Sequence, residues 1–273
     1  SGVLNLGVEG MMITGAVIGF IIAVNTQIPI YGFICAAIAG ALLSVLFAIL
    51  TQYLMSNQVA TGLGLTMVGL GLSALIGKPY EGIKSPTLTK LDIPILSEIP
   101  ILGPMIFSHD IIVYFSILVV ATVAFVIKKT RVGLILRAVG ENQEAAHALG
   151  YKVIRIRFLA IMFGGAAAGI GGAYISLARV PQWTEGMTAG AGWIALALVV
   201  FASWKPWRVL VGAYLFGGIT VLQLNLQAIG VAIPVEILSM SPYLVTIVVL
   251  VGISLFGHHT APGSLARPFH ASQ

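Results

Sequence analysis

The sequence predicts an all-α, polytopic transmembrane helical bundle. Of its residues 58% are hydrophobic and 8% charged, whereas a soluble domain carries roughly a quarter charged residues. The apolar residues come in runs, and about 20 of them in a helix cross roughly 30 Å of hydrocarbon. Glycine is abundant, with 32 residues, and recurs inside the runs at the small-xxx-small spacing that lets helices in lipid approach backbone to backbone.

Polar, proline and glycine punctuation divides the chain into about eight spanning or partly spanning segments. Met11 to Val24 comes first and pairs Gly15 with Gly19. Tyr31 to Leu54 is long enough to cross and pairs Ala36 with Gly40. Val59 to Ile76 is interrupted by Gly62, Gly64, Gly69 and Gly71. Gly77 to Asp110 is a connection rich in Pro, Ser and Thr, long enough to carry a short re-entrant or surface helix. Ile111 to Ile127 and Phe158 to Ala178 follow, the second containing Gly165 and Gly169. Trp193 to Trp204, Val209 to Leu226 and Tyr243 to Phe256 complete the set. Three segments fall short of a span, Met11 to Val24, Trp193 to Trp204 and Tyr243 to Phe256, so each is part of a broken helix or extends into its flanks.

The loop Lys128 to Arg157 holds seven of the fourteen basic residues: Lys128, Lys129, Arg131, Arg137, Lys152, Arg155 and Arg157. The positive-inside rule makes it cytoplasmic. Alternation then places Lys205, Arg208, Arg267 and the tail 258–273 inside, and Glu81, Asp92, Glu98, Glu185 and Glu236 outside, so that 77–110 is an external loop. Trp204 and Trp207 read as anchors at the inner boundary and Trp193 as one near the outer boundary. The net charge of +5 is accounted for by topology, and no nucleic acid is expected as a partner.

Cys35 is a single cysteine, so no disulfide or cysteine metal site is expected. His258, His259 and His270 lie in the tail without partner ligands and His147 on the polar side of a short helix, so no metal is expected either. No Ser-His-Asp or Cys-His set can be assembled at one depth, which leaves no catalytic residues. No G-x-x-x-x-G-K-[ST] loop occurs, so the chain is expected to hold no cofactor, and any ATP would be bound by a partner subunit. The sequence opens at Ser1 with no basic, short-apolar leader before the first run, which predicts a chain lacking its leading part.

Two places could carry function. Gly140 to Tyr151, GENQEAAHALGY, predicts a short helix in the basic loop, with Glu141 and Glu144 in its first turn and Gly150 ending it. Ala145, Ala148 and Leu149 then share one small apolar face, fit either for a groove on another protein or for a solvated connector. The second place is Glu9, an ionisable group close to the membrane interior. In a helix Asn5 and Glu9 would share a face, while Gly7 and Gly10 would favour a break whose freed backbone lines a cavity. Glu9 either lines a path or hydrogen-bonds between helices. Gln58, Thr61 and Thr66 open another glycine-interrupted run with neutral groups suited to a hydroxylated, uncharged solute.

The stretch GENQEAAHALGYKVIRIRFLAIMFGGAAAGIGGAYISL resembles the coupling-helix region of ABC permeases in the branched-chain amino acid, ribose and nucleoside importer group. SGVLNLGVEGMMITGA at the start resembles the N-[IL]-G-[VL]-E-G stretch of the simple sugar and nucleoside branch. NQVATGLGLTMVGLGLS and GAGWIALALVVFASWKPW extend the resemblance over nearly the whole chain in family order. It implies that Gly140, Glu141, Asn142, Ala145, Ala146 and Gly150 contact an ABC ATP-binding subunit, and that Asn5, Glu9, Gln58, Thr61 and Thr66 belong to the substrate path. The implied partners are that subunit, a second permease subunit and an external solute-binding protein, around a multi-pass chain in the bacterial inner membrane. Nucleosides rank first among the implied solutes, simple sugars second and branched-chain amino acids third. The family has a further span ahead of the N-x-G-x-E-G stretch. The reading from another class is an ATP-independent secondary transporter or channel, which the lack of repeated intramembrane charges for ion coupling disfavours.

Overall fold

The computed structural model describes residues 1–86, 88, 109–230, 234–256 and 261–269. Most of the 77–110 connection, including Asp92 and Glu98, lies outside the described residues, as do His258, His259 and His270. The described helices are α1 (Val8–Thr26), α2 (Pro29–Ala48), α3 (Gln58–Gly77), α4 (Ile111–Lys129) and α5 (Arg131–Glu141), followed by α6 (Gln143–Ala148), α7 (Val153–Tyr174), α8 (Ala191–Phe201), α9 (Pro206–Ala228) and α10 (Val235–Phe256). Wider turns prolong α2 through Ile49–Tyr53 and α7 through Ile175–Arg179, and a tight turn prolongs α3 through Lys78–Tyr80. Counting these extensions, six helices among the described residues are long and apolar enough to cross a membrane: α1, α2, α3, α4, α7 and α9.

Local sequence sets the boundaries. Asn57 caps α3, its side-chain oxygen accepting from the Val59 and Ala60 N–H groups at 2.9 and 3.0 Å. Asp110 caps α4 in the same way, from Ile112 and Val113 at 3.0 and 3.2 Å. Both satisfy donors that a helix start leaves without partners. Proline, which has no N–H to lose, stands in the first turn of α2 and of α9. Of the three short segments, the first and last extend to full helices, α1 and α10, the latter across Pro242. The middle one stays short: α8 has 11 residues and rises only about 16 Å, half a membrane.

α1, α2 and α7 form the centre. A side chain on Gly169 would strike the Ala36 carbonyl, one on Gly15 would strike Gly169, and one on Gly40 would strike the Gly165 carbonyl. The three backbones therefore meet where the small-xxx-small pairs fall. Gly15 facing Gly169 and Gly19 facing Ala173 make α1 parallel to α7. Gly32 facing Gly19 and Gly40 facing Gly165 make α2 antiparallel to both. Ile13, Val17, Phe20, Phe33, Leu177 and Trp183 close the core around them.

Lys205, Arg137 and Ile127 line one cavity together with Ser1 and Pro262. The basic loop, the α8–α9 turn and the C-terminal segment thus share one end of the bundle. The segment between α7 and α8 folds back from the opposite end: Lys84 and Glu81 bridge to Gln182 and Trp183, and four residues further on the chain has reached Met187, packed against the core.

Candidate functional site

Glu9 sits in the first turn of α1 and is 3% exposed. Because Gly15 lies level with Gly169, Glu9 falls roughly ten residues along α7 from its start, about 15 Å into the bundle. Its carboxylate accepts three hydrogen bonds, from the Thr188 hydroxyl at 2.6 Å, the Gly190 N–H at 2.9 Å and the Gly192 N–H at 2.6 Å. Gly190 is the cap residue of α8. The acid in the first turn of α1 therefore satisfies the orphan donors at the start of the half-helix α8, where the helix dipole favours negative charge. Trp193 reinforces the joint by donating its indole N–H to the Leu6 carbonyl at 3.1 Å. It is thus a mid-depth contact rather than an outer-boundary anchor, because α8 begins inside the bundle.

Asn5 does not share a helical face with Glu9. Residues 1–7 are not helical, and the Asn5 side-chain oxygen accepts from the Gly7 N–H at 2.9 Å, a local turn that competes with helix. α3 supports this extended segment. Gln58 accepts from the Leu4 N–H at 2.9 Å, and Thr66 donates to the Leu6 carbonyl at 3.2 Å and to the Gly62 carbonyl at 3.1 Å. The Gln58 amide nitrogen is buried with no hydrogen-bond partner among the described residues. Thr61 stands apart, sharing a 2.8 Å hydrogen bond with Ser56. The structure thus gathers Asn5, Glu9, Gln58 and Thr66 around the extended segment that leads into α1. Thr188 also lines a cavity of about 650 Å³ bordered by Arg179, Thr220, Gln223 and Tyr243.

At the basic end the expected helix over 140–150 is two helices with an elbow. Asn142 is extended, with φ −143° and ψ 102°, and its side-chain oxygen accepts from the Ala145 N–H at 2.9 Å. Asparagine's strong preference for a cap position starts a new helix there. Glu141 consequently ends α5 instead of opening the next helix, whereas Glu144 does lie in the first turn of α6. Gly150 ends the element with φ +86°, a conformation that glycine adopts at no steric cost. Ala145, Ala148 and Leu149 face outward, Leu149 being 75% exposed. Ala146 and Gly140 are buried, Ala146 against Val139, Val153 and Phe269. The implied contact set therefore divides into an outward part, Glu141, Asn142, Ala145 and Gly150, and an inward part that fixes the helix in place.

Residues 1–253 match the family described as branched-chain amino acid transport system / permease component. The chain belongs to this family. The permease is 40% identical over 272 residues to the putative glucose ABC transporter permease protein TsgC13 of Haloferax volcanii, with 92% of this chain and 83% of that one covered. It is 32% identical to the guanosine ABC transporter permease protein NupQ of Bacillus subtilis, covering 98% and 88%. It is also 32% identical to the nucleoside ABC transporter permease protein NupC of Lactococcus lactis, covering 91% and 83%. No solved structure matches. The chain is accordingly a multi-pass membrane protein and the permease subunit of an ABC transporter, not an enzyme.

Sequence reasoning singled out Glu9 in the permease but not its partners, which lie 179 to 183 positions away. The one local signal for them is the small-residue stretch Thr188–Gly192 directly before an apolar run, which marks a helix start with open N–H groups. Gln143, buried in the elbow, carries no such signal, because nothing in its own turn requires burial.

Proposed function

We propose that the permease carries small, uncharged, hydroxylated solutes, sugars or nucleosides, inward across the cytoplasmic membrane of a bacterium or similar cell. ATP is bound and hydrolysed by partner subunits docked at the basic, cytoplasmic end, and the chain itself holds no cofactor. A second permease subunit completes the pathway, and an external solute-binding protein delivers the solute. The observation that carries this reading is α6: a capped helix at the basic end whose Ala145, Ala148 and Leu149 face outward while Ala146 anchors it beneath. A buried root with an exposed apolar tip suits insertion into a groove on a partner and transmission of that partner's movement to α7.

The solute path runs past the joint between the start of α1 and the half-helix α8. Thr188 touches both Glu9 and the cavity whose largely apolar wall, with Arg179 on it, also presents Thr220, Gln223 and Tyr243, neutral hydrogen-bonding groups that match sugar or nucleoside hydroxyls. The relative named for glucose is more identical than those named for guanosine and nucleosides, so a hexose and a ribonucleoside are the solutes to compare.

Leu149→Glu tests the docking face. Co-purification of the ATP-binding subunit with the membrane-inserted variant is expected to fall about tenfold or more, as for a charge placed in an apolar interface centre. Undiminished co-purification would remove α6 from the interface.

A further inference from the structure

The elbow between α5 and α6 leaves backbone groups that neither helix satisfies, and one residue far away in sequence takes up three of them. Ser264 donates its N–H to the Gly140 carbonyl at 2.9 Å and its hydroxyl to the Glu141 carbonyl at 3.2 Å. The same hydroxyl oxygen accepts from the buried Gln143 N–H at 3.2 Å. The end of α5 and the start of α6 are thus joined through a single side chain that is 4% exposed.

The surrounding segment fastens this point to the rest of the bundle. Gln143 donates its side-chain amide to the Pro268 carbonyl at 2.8 Å. Phe269 is buried with Val139, Ala146 and Val153, and its ring meets His147 edge to face, with centroids 5.3 Å apart. Arg157, fully buried in the first turns of α7, donates to the Arg267 carbonyl at 3.2 Å and to the Ser1 carbonyl at 3.1 Å. Ala266 donates its N–H to the Gly2 carbonyl at 3.0 Å. A strap of eight residues, Pro262–Phe269, therefore binds α6, the base of α7 and the extended segment leading to α1.

We propose that this strap pins the elbow, with Ser264 as the positioning residue that sets the direction of α6 and makes its displacement move α7 and the start of α1 as one body. The role in transport rests on the reading of α6 as the coupling helix; the pinning itself does not. A helix of six residues is too short to hold its own orientation. Without the strap, a push on Leu149 would bend the elbow at Asn142 instead of moving the spans.

The test uses the whole transporter, with its ATP-binding subunits and solute-binding protein, in lipid vesicles. Wild type, Ser264→Ala, Ser264→Thr and Phe269→Leu are compared for amide exchange over residues 143–149 and for solute carried per ATP hydrolysed. Ser264→Ala is expected to speed exchange of these amides by about tenfold or more while leaving the spans protected, and to lower solute per ATP with the ATP-binding subunit still attached. Ser264→Thr, which keeps the hydroxyl, is expected to restore both readings, and Phe269→Leu to show a weaker form of the alanine defect. Exchange unchanged in Ser264→Ala overturns the pinning. Faster exchange with solute per ATP unchanged overturns the transmission. Loss of the coupling-helix reading shows separately, as undiminished binding of the ATP-binding subunit to Leu149→Glu.

Discussion

α7 and α9 carry the same tripeptide, Phe163-Gly164-Gly165 in one and Phe216-Gly217-Gly218 in the other, and the bundle treats them in opposite ways. Gly165 is pressed against Gly40 and Ser44, whereas Gly217 and Gly218 face open space. α7 has 28% of its most apolar window buried, and α9 has 6%. Hydrophobicity does not separate the two, since lipid tails are as apolar as leucine. What differs is continuity: Gly165, Gly169 and Ala173 hold a small face over two turns opposite Ala36, Gly40 and Ser44, while Ala213 and Gly217 are followed by Val221. A lone glycine pair is permission for close approach; a small face matched by another small face is what produces it.

Breaking the matched face has the largest expected effect. Gly169→Leu drives a side chain into the α2 backbone, and no folded, detergent-stable protein is expected in size-exclusion chromatography. Glu9→Ala comes next, leaving the Thr188, Gly190 and Gly192 donors without their acceptor. The cost is about 1–3 kcal/mol for each buried donor left unpaired, read as a lower thermal midpoint in detergent. Glu9→Gln is expected to lose less, since its amide oxygen still accepts while its NH₂ meets other donors. Val221→Ala, on the exposed side of α9 at 57% exposure, is expected to stay within about 0.5 kcal/mol. A large Val221→Ala defect would mean that α9 has a protein neighbour at that face.

The same contrast explains what could be read in advance. The spans were legible because bilayer thickness forces an apolar run, and small-residue pairs marked α1, α2 and α7 as able to approach closely, though not which helix each would meet. α5 was not: Arg131–Glu141 lies outside the eight apolar runs, within the basic loop, and its one local mark is the Thr130 cap. Glu9 stood out as an ionisable residue, but its role depended on an α8 terminus nearly two hundred positions away. The elbow at Asn142 was missed because the helical pattern of GENQEAAHALGY continues through it. The local competition was visible only in the asparagine itself, and the Ser264 hydroxyl that completes the elbow lies more than 120 positions downstream.

The most direct test of the account is solute uptake by vesicles holding the permease with and without its ATP-binding subunits, with ATP supplied or withheld and with a hexose and a ribonucleoside as solutes. Uptake of at least one of these solutes is expected to require both the ATP-binding subunits and ATP. Uptake that continues without either would contradict it and make the chain an ATP-independent transporter or channel.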